Sequence, residues 1–171
     1  MIDKIRNLSL IAKIAALMIA VNIAGIAAIA GYTWITQTRT SIAAEVDKWT
    51  RDTEQFASIS AGGIKWNKPE VVREAYALYR DDASLNMVQF YAFNRDNEAV
   101  DSWTRENADA SMDEAAIRAL AEKAAGADEA TTQYVSGLAT IVMPLPKNSA
   151  GEYSGEVITV WSTAPIYAAA Q

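Results

Sequence analysis

Gln89, Tyr91, Asp101, Trp103, Arg105, Tyr134 and Trp161 are the side chains in this 171-residue chain whose type and spacing bear on chemistry. Gln89 and Tyr91 alternate within NMVQFYAFN, so on a strand both point one way and present an amide and a phenol to one surface. A buried amide needs a partner, because leaving it unbonded costs about 1–3 kcal/mol. A ligand, a backbone group or water would each serve. Asp101, Trp103 and Arg105 alternate in the same way along AVDSWTR. Arg105 has the forked donors that grip a carboxylate, although an arginine at a strand end is commonly just solvated. Tyr134, and Trp161 beside Ser162, read equally as core aromatics or as pocket walls.

These are binding groups, and they do not assemble into a reactive set. The chain holds neither cysteine nor histidine. That excludes disulfides, thiolate chemistry, Ser-His-Asp triads, the commonest zinc ligand and His-ligated haem. Carboxylate pairs alone can hydrolyse glycosides, but no pattern points there, so no enzyme, cofactor or metal is expected. Asn94, Asp96 and Glu98 place oxygens at alternate positions, as a calcium loop does. The sixth-position glycine and the distal Glu of such a loop are missing, which favours a plain hairpin turn.

The element that positions everything else is Ile14 to Ile35, IAALMIAVNIAGIAAIAGYTWI, an uncharged run of 22 residues. As a helix it spans roughly 33 Å, enough to cross a bilayer core. Tyr32 and Trp34 sit at its far end, where aromatic rings favour the headgroup layer. Lys4, Arg6 and Lys13 flank its near end and are opposed only by Asp3, which predicts residues 1–13 as a cytoplasmic stub and everything past Ile35 outside. Ala28-Ile29-Ala30 before Gly31 also reads as a signal-peptide cleavage site. The length of the apolar run, and the helix that continues beyond it, favour a retained anchor. Asn22 lies mid-span, either as glue to a second helix or simply tolerated. The pairs Ala24/Ala28 and Ala27/Gly31 would let such a helix come close.

Past Ile35 the chain carries 12 bases against 20 acids, a net charge of −8. An acidic body argues against nucleic acid or anionic lipid as partner. Its length suits one core, so residues 36–171 are expected to form a single domain. Thr36 to about Ala61 reads as a stalk helix running on from the membrane. Ile42, Val46, Trp49, Thr53 and Phe56 follow steps of 4, 3, 4 and 3. That stripe fits a helix lying on its own core, a stalk that pairs with a second copy, or both.

Gly62-Gly63 is expected to end this helix and Asn67 to cap the next, with Pro69 in its first turn and Val71, Val72, Ala75, Leu78 and Tyr79 as its apolar face. NMVQFYAFN and AVDSWT then form a hairpin. The first strand is apolar on both parities, Val88, Phe90 and Ala92 one way and Met87, Tyr91 and Phe93 the other, so it belongs inside a sheet covered on both faces. Ser111 to Glu114 reads as a capping box for a helix with Ile117, Leu120, Ala121 and Ala124 buried and Gly126 closing it. TTQYVS, LATIVMPL and EVITVWST are three more strands, and Ala164-Pro165 starts a last helix.

The fold class is therefore α+β: a transmembrane helix continuing into a long helix, then a five-stranded antiparallel sheet with helices on both faces. This order is similar to the extracytoplasmic PAS-like sensor domains of bacterial chemoreceptors and sensor kinases, the single-Cache type. LSLIAKIAALMIAVNIAGIAAIAGY resembles a chemoreceptor's first membrane helix. FYAFNRDNEAVDSW is placed like the family's central hairpin, with Asn97-Glu98 where a glycine is usual. SGEVITVWSTAPIY resembles its final strand and returning helix.

The resemblance implies a single-pass protein of the bacterial inner membrane, with its main domain outside. It also implies a small organic acid or amino acid as ligand, bound between sheet and shorter helices, and a shift of the anchor helix as output. Family members continue to a second membrane helix and cytoplasmic modules, whereas this sequence stops at Gln171. A truncated receptor and an anchored accessory subunit of a larger membrane complex both fit that ending.

Overall fold

The computed structural model describes residues 10–108, 110–147 and 150–169, and the chain divides into two compact units, Met1–Ser41 and Ile42–Ala169. Most of the expected cytoplasmic stub lies outside the described residues.

Helix α1 is a single element, Leu10–Lys65. In the first unit its side chains are almost all exposed, Leu17, Ile19, Ile23, Ile26 and Ile29 among them. Among the described residues this is the one helix long and apolar enough to cross a membrane. Asn22 donates its amide to Met18 O at 2.8 Å, one turn back. Its polar group is thus met within the helix, which explains how an apolar run accommodates it.

The second unit begins with α1's stripe. Val46, Trp49, Thr53, Phe56, Ala57, Ser60 and Ile64 are buried, at the heptad-like spacing seen in the sequence. Gly62-Gly63 does not end α1, which runs on to Lys65. Gly63 serves packing instead, since a Cβ there would stand 3.0 Å from Lys68 O and from the Val71 and Val72 side chains, whereas one on Gly62 would meet nothing within 4 Å. The chain turns at Asn67, whose φ of 50° is left-handed, so Asn67 shapes the turn and does not cap the helix that follows.

Helix α2, Pro69–Asp81, starts after Lys68 without a side-chain cap, with Pro in its first turn. Its buried residues are Val72 and Tyr76, while Leu78 is 69 % exposed. Val72 and the half-buried Tyr79 of the expected face do pack on the core, and the amphipathic Tyr76, which an apolar pattern passes over, takes the place expected of Leu78. A short 3-10 turn, Ala83–Leu85, is capped by Asp82, which accepts from the Ser84 N–H at 2.8 Å.

Strands β1, Met87–Asn94, and β2, Ala99–Thr104, form the expected hairpin. Asn97 takes the positive φ (59°) usually met by glycine, and Asn94 Oδ1 accepts from the N–H groups of Asp96 and Glu98. Helix α3, Glu114–Ala124, has Asp113 at its cap position with no side-chain bond, so the Ser111 capping box does not form. Gly126, at φ 85°, supplies the left-handed turn after it. Strands β3, Thr131–Val135, β4, Leu138–Pro144, and β5, Gly155–Ser162, complete the sheet, and α4, Ala164–Ala169, follows.

The sheet is five-stranded and antiparallel throughout, in the order β2-β1-β5-β4-β3. The last strand in sequence is thus the middle one in space, and β1 lies inside the sheet as expected. Buried side chains separate into two clusters by strand parity. One joins α1 and α2 to Phe90, Ala92, Ile141, Val157 and Trp161. The other joins α3 to Tyr91, Phe93, Val142, Ile158 and Val160. Met87 falls in the first cluster and Val88 in the second, the reverse of strict alternation. A register shift between Met87 and Gln89 against β5 is the cause, because an extra residue in one strand flips the facing of what precedes it.

Candidate functional site

The seven candidate side chains fall into four places. Gln89 and Tyr91 share one face of β1, as their spacing requires. Gln89 is 2 % exposed, and its amide is fully engaged. Its Oε1 accepts from Met112 N at 2.7 Å, and its Nε2 donates to Met112 O at 3.0 Å. This pair of bonds mimics a strand-to-strand exchange and ties the segment before α3 to the sheet. The Tyr91 hydroxyl lies 3.3 Å from Gln89 Nε2 and accepts from it.

Asp101, Trp103 and Arg105 gather beside α2. Asp101 accepts from the Tyr76 hydroxyl at 2.7 Å and from Arg73 at 3.0 Å. The Tyr76 hydroxyl is pushed up to about 12, by burial first and then by its bond to Asp101 and that group's negative charge. Arg105 is occupied by backbone. It donates to the carbonyls of Met87 (3.0 Å), Tyr79 (2.8 Å) and Asp82 (3.2 Å), with its guanidinium 5.2 Å from the Trp103 ring centre. Those carbonyls lie at the end of α2 and the start of β1, where a cation satisfies acceptors that the helix leaves unbonded.

Trp161 is wholly buried, stacked on Trp49 of α1. Its indole N–H donates to Thr159 Oγ1 at 2.7 Å, and the Thr159 and Thr53 hydroxyls are also 2.7 Å apart. Thr53 donates to Trp49 O. With the Thr53 proton committed there, Thr159 must donate to Thr53, so the chain of donors runs from β5 to α1 in one direction. Tyr134 stands apart, 57 % exposed on β3 at the edge of the sheet.

Two of the clefts among the described residues of this unit carry charged groups of interest. One, of about 370 Å³, lies among Glu54, Ala57 and Ser58 of α1, the segment after α3, and Met143 to Lys147 at the end of β4. Lys147 closes one side of it in an ion pair with Asp128. The other, of about 260 Å³, is lined by Ile64, Lys65, Asn67, Asn94, Arg95, Asp96, Tyr153 and Ser154. Lys65 and Arg95 both line it, with Asp96, in a domain of acidic net charge. Lys65 Nζ rests 5.4 Å from the Trp66 ring centre. Arg95 reaches Asp96 and Glu152 only at 3.9 and 3.8 Å, longer than a charge-assisted hydrogen bond. None of the seven candidates lines either cleft.

Sequence reasoning passed over Glu156 and Asp52. Glu156 has no exposed surface, and neither of its carboxylate oxygens makes a hydrogen bond. A signal for it existed, because Glu156 shares parity with Ile158 and Val160 on a strand whose two faces are both apolar. Asp52 stands beside Tyr79, whose hydroxyl is pushed up to about 12 by burial and then by Asp52. No family model and no curated protein matches the chain.

Proposed function

We propose that this chain is a membrane-anchored sensing module, with α1's apolar run in the bilayer and the unit Ile42–Ala169 a PAS-like, single-Cache type domain on the extracytoplasmic side. The observation that carries the reading is the continuity of α1. One helix holds both the apolar run and the stripe that packs on the sheet through Trp49, Thr53 and Phe56. On this reading a change in how that stripe seats is the event that the apolar run reports. The segregation of α1 and α2 residues into one cluster and α3 residues into the other supports helices on both faces of the sheet. A strand order with the last strand central supports the PAS-like assignment.

The ligand class is a small organic acid or amino acid. The cleft holding Lys65 and Arg95 has the charge to receive a carboxylate, and Asp96 to receive an ammonium. Two measurements test the reading. The chain lacks cysteine, so a single Ser111→Cys variant can be labelled with an impermeant maleimide in intact spheroplasts. Labelling before lysis is expected, and labelling only after lysis overturns the topology. A thermal-shift screen of the full chain in nanodiscs should then find acids or amino acids that raise Tm, with Lys65→Ala and Arg95→Ala abolishing the shift. If no such compound raises Tm, sensing loses its support.

A further inference from the structure

We propose that Glu156 is a proton-operated latch: neutral, it holds the first residues of β5 closed between β1 and β4, and ionised, it loosens that end of the sheet. The inference is independent of which ligand, if any, the domain binds. Glu156 sits second in the central strand, paired across to Phe93 of β1 and Pro144 of β4. Neither neighbour's side chain offers a hydrogen-bond donor, and Ile158 is the next residue on the same face. Glu156 is nonetheless completely buried, with both carboxylate oxygens unbonded. A carboxylate cannot be held so without partners, whereas a neutral carboxyl can.

The charged and titratable surroundings do not offer relief. Arg118 of α3 stands over the Phe93 ring, 5.9 Å from its centre, but its guanidinium is taken by Glu114 at 3.0 Å. Lys65 and Arg95 line the cleft on which Tyr153 and Ser154 border. Among the described residues Tyr153 is the ionisable group that acts on Glu156. Its hydroxyl stands near enough to favour the ionised form slightly, without forming a bond that satisfies either oxygen. Burial outweighs it and pushes the carboxyl up to about 7. The proton therefore leaves near neutrality, and the charge it leaves behind must reach water.

The backbone next to Glu156 shows what has to give. Gly155 O accepts from Leu145 N at 2.9 Å. The strand is drawn so close to β1 that a Cβ on Gly155 would stand 2.3 Å from Phe93 O. On this proposal water reaches Glu156 by parting β5 from its neighbours at that seam. Opening therefore releases the Leu145–Gly155 bond.

The test is a pH titration of the full chain in nanodiscs, reading glutamate side-chain carboxyl carbons by NMR, with the resonance missing from Glu156→Gln assigning the group. Amide exchange at Leu145 is followed in parallel, as protection against the intrinsic rate. Glu156 should titrate near pH 7, apart from the other glutamates. Leu145 protection should fall about tenfold per pH unit between roughly 4.5 and 7 and level off above. Glu156→Gln should show no such slope. If Glu156→Gln fails to fold, Tyr153→Phe serves instead: it removes the group that favours the ionised form, so the midpoint should rise. A Glu156 midpoint among the ordinary glutamates, Leu145 protection unchanged while Glu156 ionises, or a midpoint that falls in Tyr153→Phe would each overturn the proposal.

Discussion

Trp49 of α1 and Trp161 of β5 lie face to face, ring centroids 5.4 Å apart and planes 7° from parallel. Both are at most 1 % exposed, and the Tyr79 ring meets Trp161 edge-on at 5.6 Å. This stack and the Thr159–Thr53 hydroxyl pair set the register of the helix on the central strand. Trp49→Ala should lower unfolding free energy by about 3–5 kcal/mol through the cavity it leaves. Thr159→Val keeps the shape but orphans the Trp161 indole N–H, and should cost about 1–3 kcal/mol. Denaturant titration of the full chain in detergent, followed by tryptophan fluorescence, measures both. Equal, negligible losses would mean the helix is not seated by this contact.

Gln89 behaves as a piece of backbone. Replacing it by Leu leaves the Met112 N–H and carbonyl without their 2.7 and 3.0 Å partners. The expected loss is about 1–3 kcal/mol, accompanied by faster exchange of the Met112 amide. Should Gln89→Leu instead leave Met112 protected and abolish binding of a ligand found in the thermal-shift screen, the amide belongs to a site and not to the scaffold.

The Asp101–Tyr76 bond makes a prediction in alkaline solution. Tyr76 is raised to about 12, burial contributing most and Asp101 next. Asp101→Asn removes the charge and retains the burial, so the phenol should drop only part of the way toward 10. Ultraviolet titration near 295 nm, against a Tyr76→Phe control, resolves the step. A Tyr76 that titrates unchanged in Asp101→Asn would show that burial acts alone.

What could be read from the chain was whatever repeats along it. The heptad-like stripe of α1, the double-sided apolarity of β1 and the alternation of β2 all carry period, and each marks its element. The failures lie where a single residue's role depends on a neighbour far away in sequence. Gly63 looks like a helix stop until Val72 is seen against it. Arg105 looks like a ligand fork until the carbonyls of Tyr79 and Asp82 are found on it. Asn67 looks like a cap, yet it supplies a left-handed turn. The clefts were illegible for the same reason, since Lys65, Arg95 and Tyr153 meet only through the fold.

Gly155 and Gly126 separate two meanings of a glycine with positive φ. At Gly126 (φ 85°) a Cβ meets nothing within 4 Å, so Gly126→Ala should cost only the backbone strain, about 1–2 kcal/mol. At Gly155 (φ 124°) the Cβ collides with Phe93 O. Gly155→Ala must break the β1–β5 seam, and should cost distinctly more or prevent folding. Comparable losses in the two variants, by thermal denaturation, would show that β5 can move away from β1 at little cost.

Stability should also fall as pH rises, contrary to the behaviour of a protein held by salt-bridged carboxylates. The folded chain holds the Glu156 proton up to about pH 7, whereas the unfolded chain releases it near 4.5. Between those values the folded state binds more protons than the unfolded one, so each rise in pH favours unfolding. The contribution is fully present below about pH 4.5, is lost progressively to about pH 7, and is flat above. On the order of 3 kcal/mol is at stake across the window. Asp81 and Asp82 do not oppose this slope: both are lowered from 3.8 by their hydrogen bonds, to Arg80 and to Ser84, so what they add is lost only on acidification below the window and is constant within it. Glu156→Gln should therefore flatten the slope between pH 5 and 7 and leave the variant more stable than wild type at pH 8. Urea midpoints measured at half-unit pH steps decide it. A wild-type chain whose stability climbs through that range would mean that Glu156 is ionised and satisfied in the folded state.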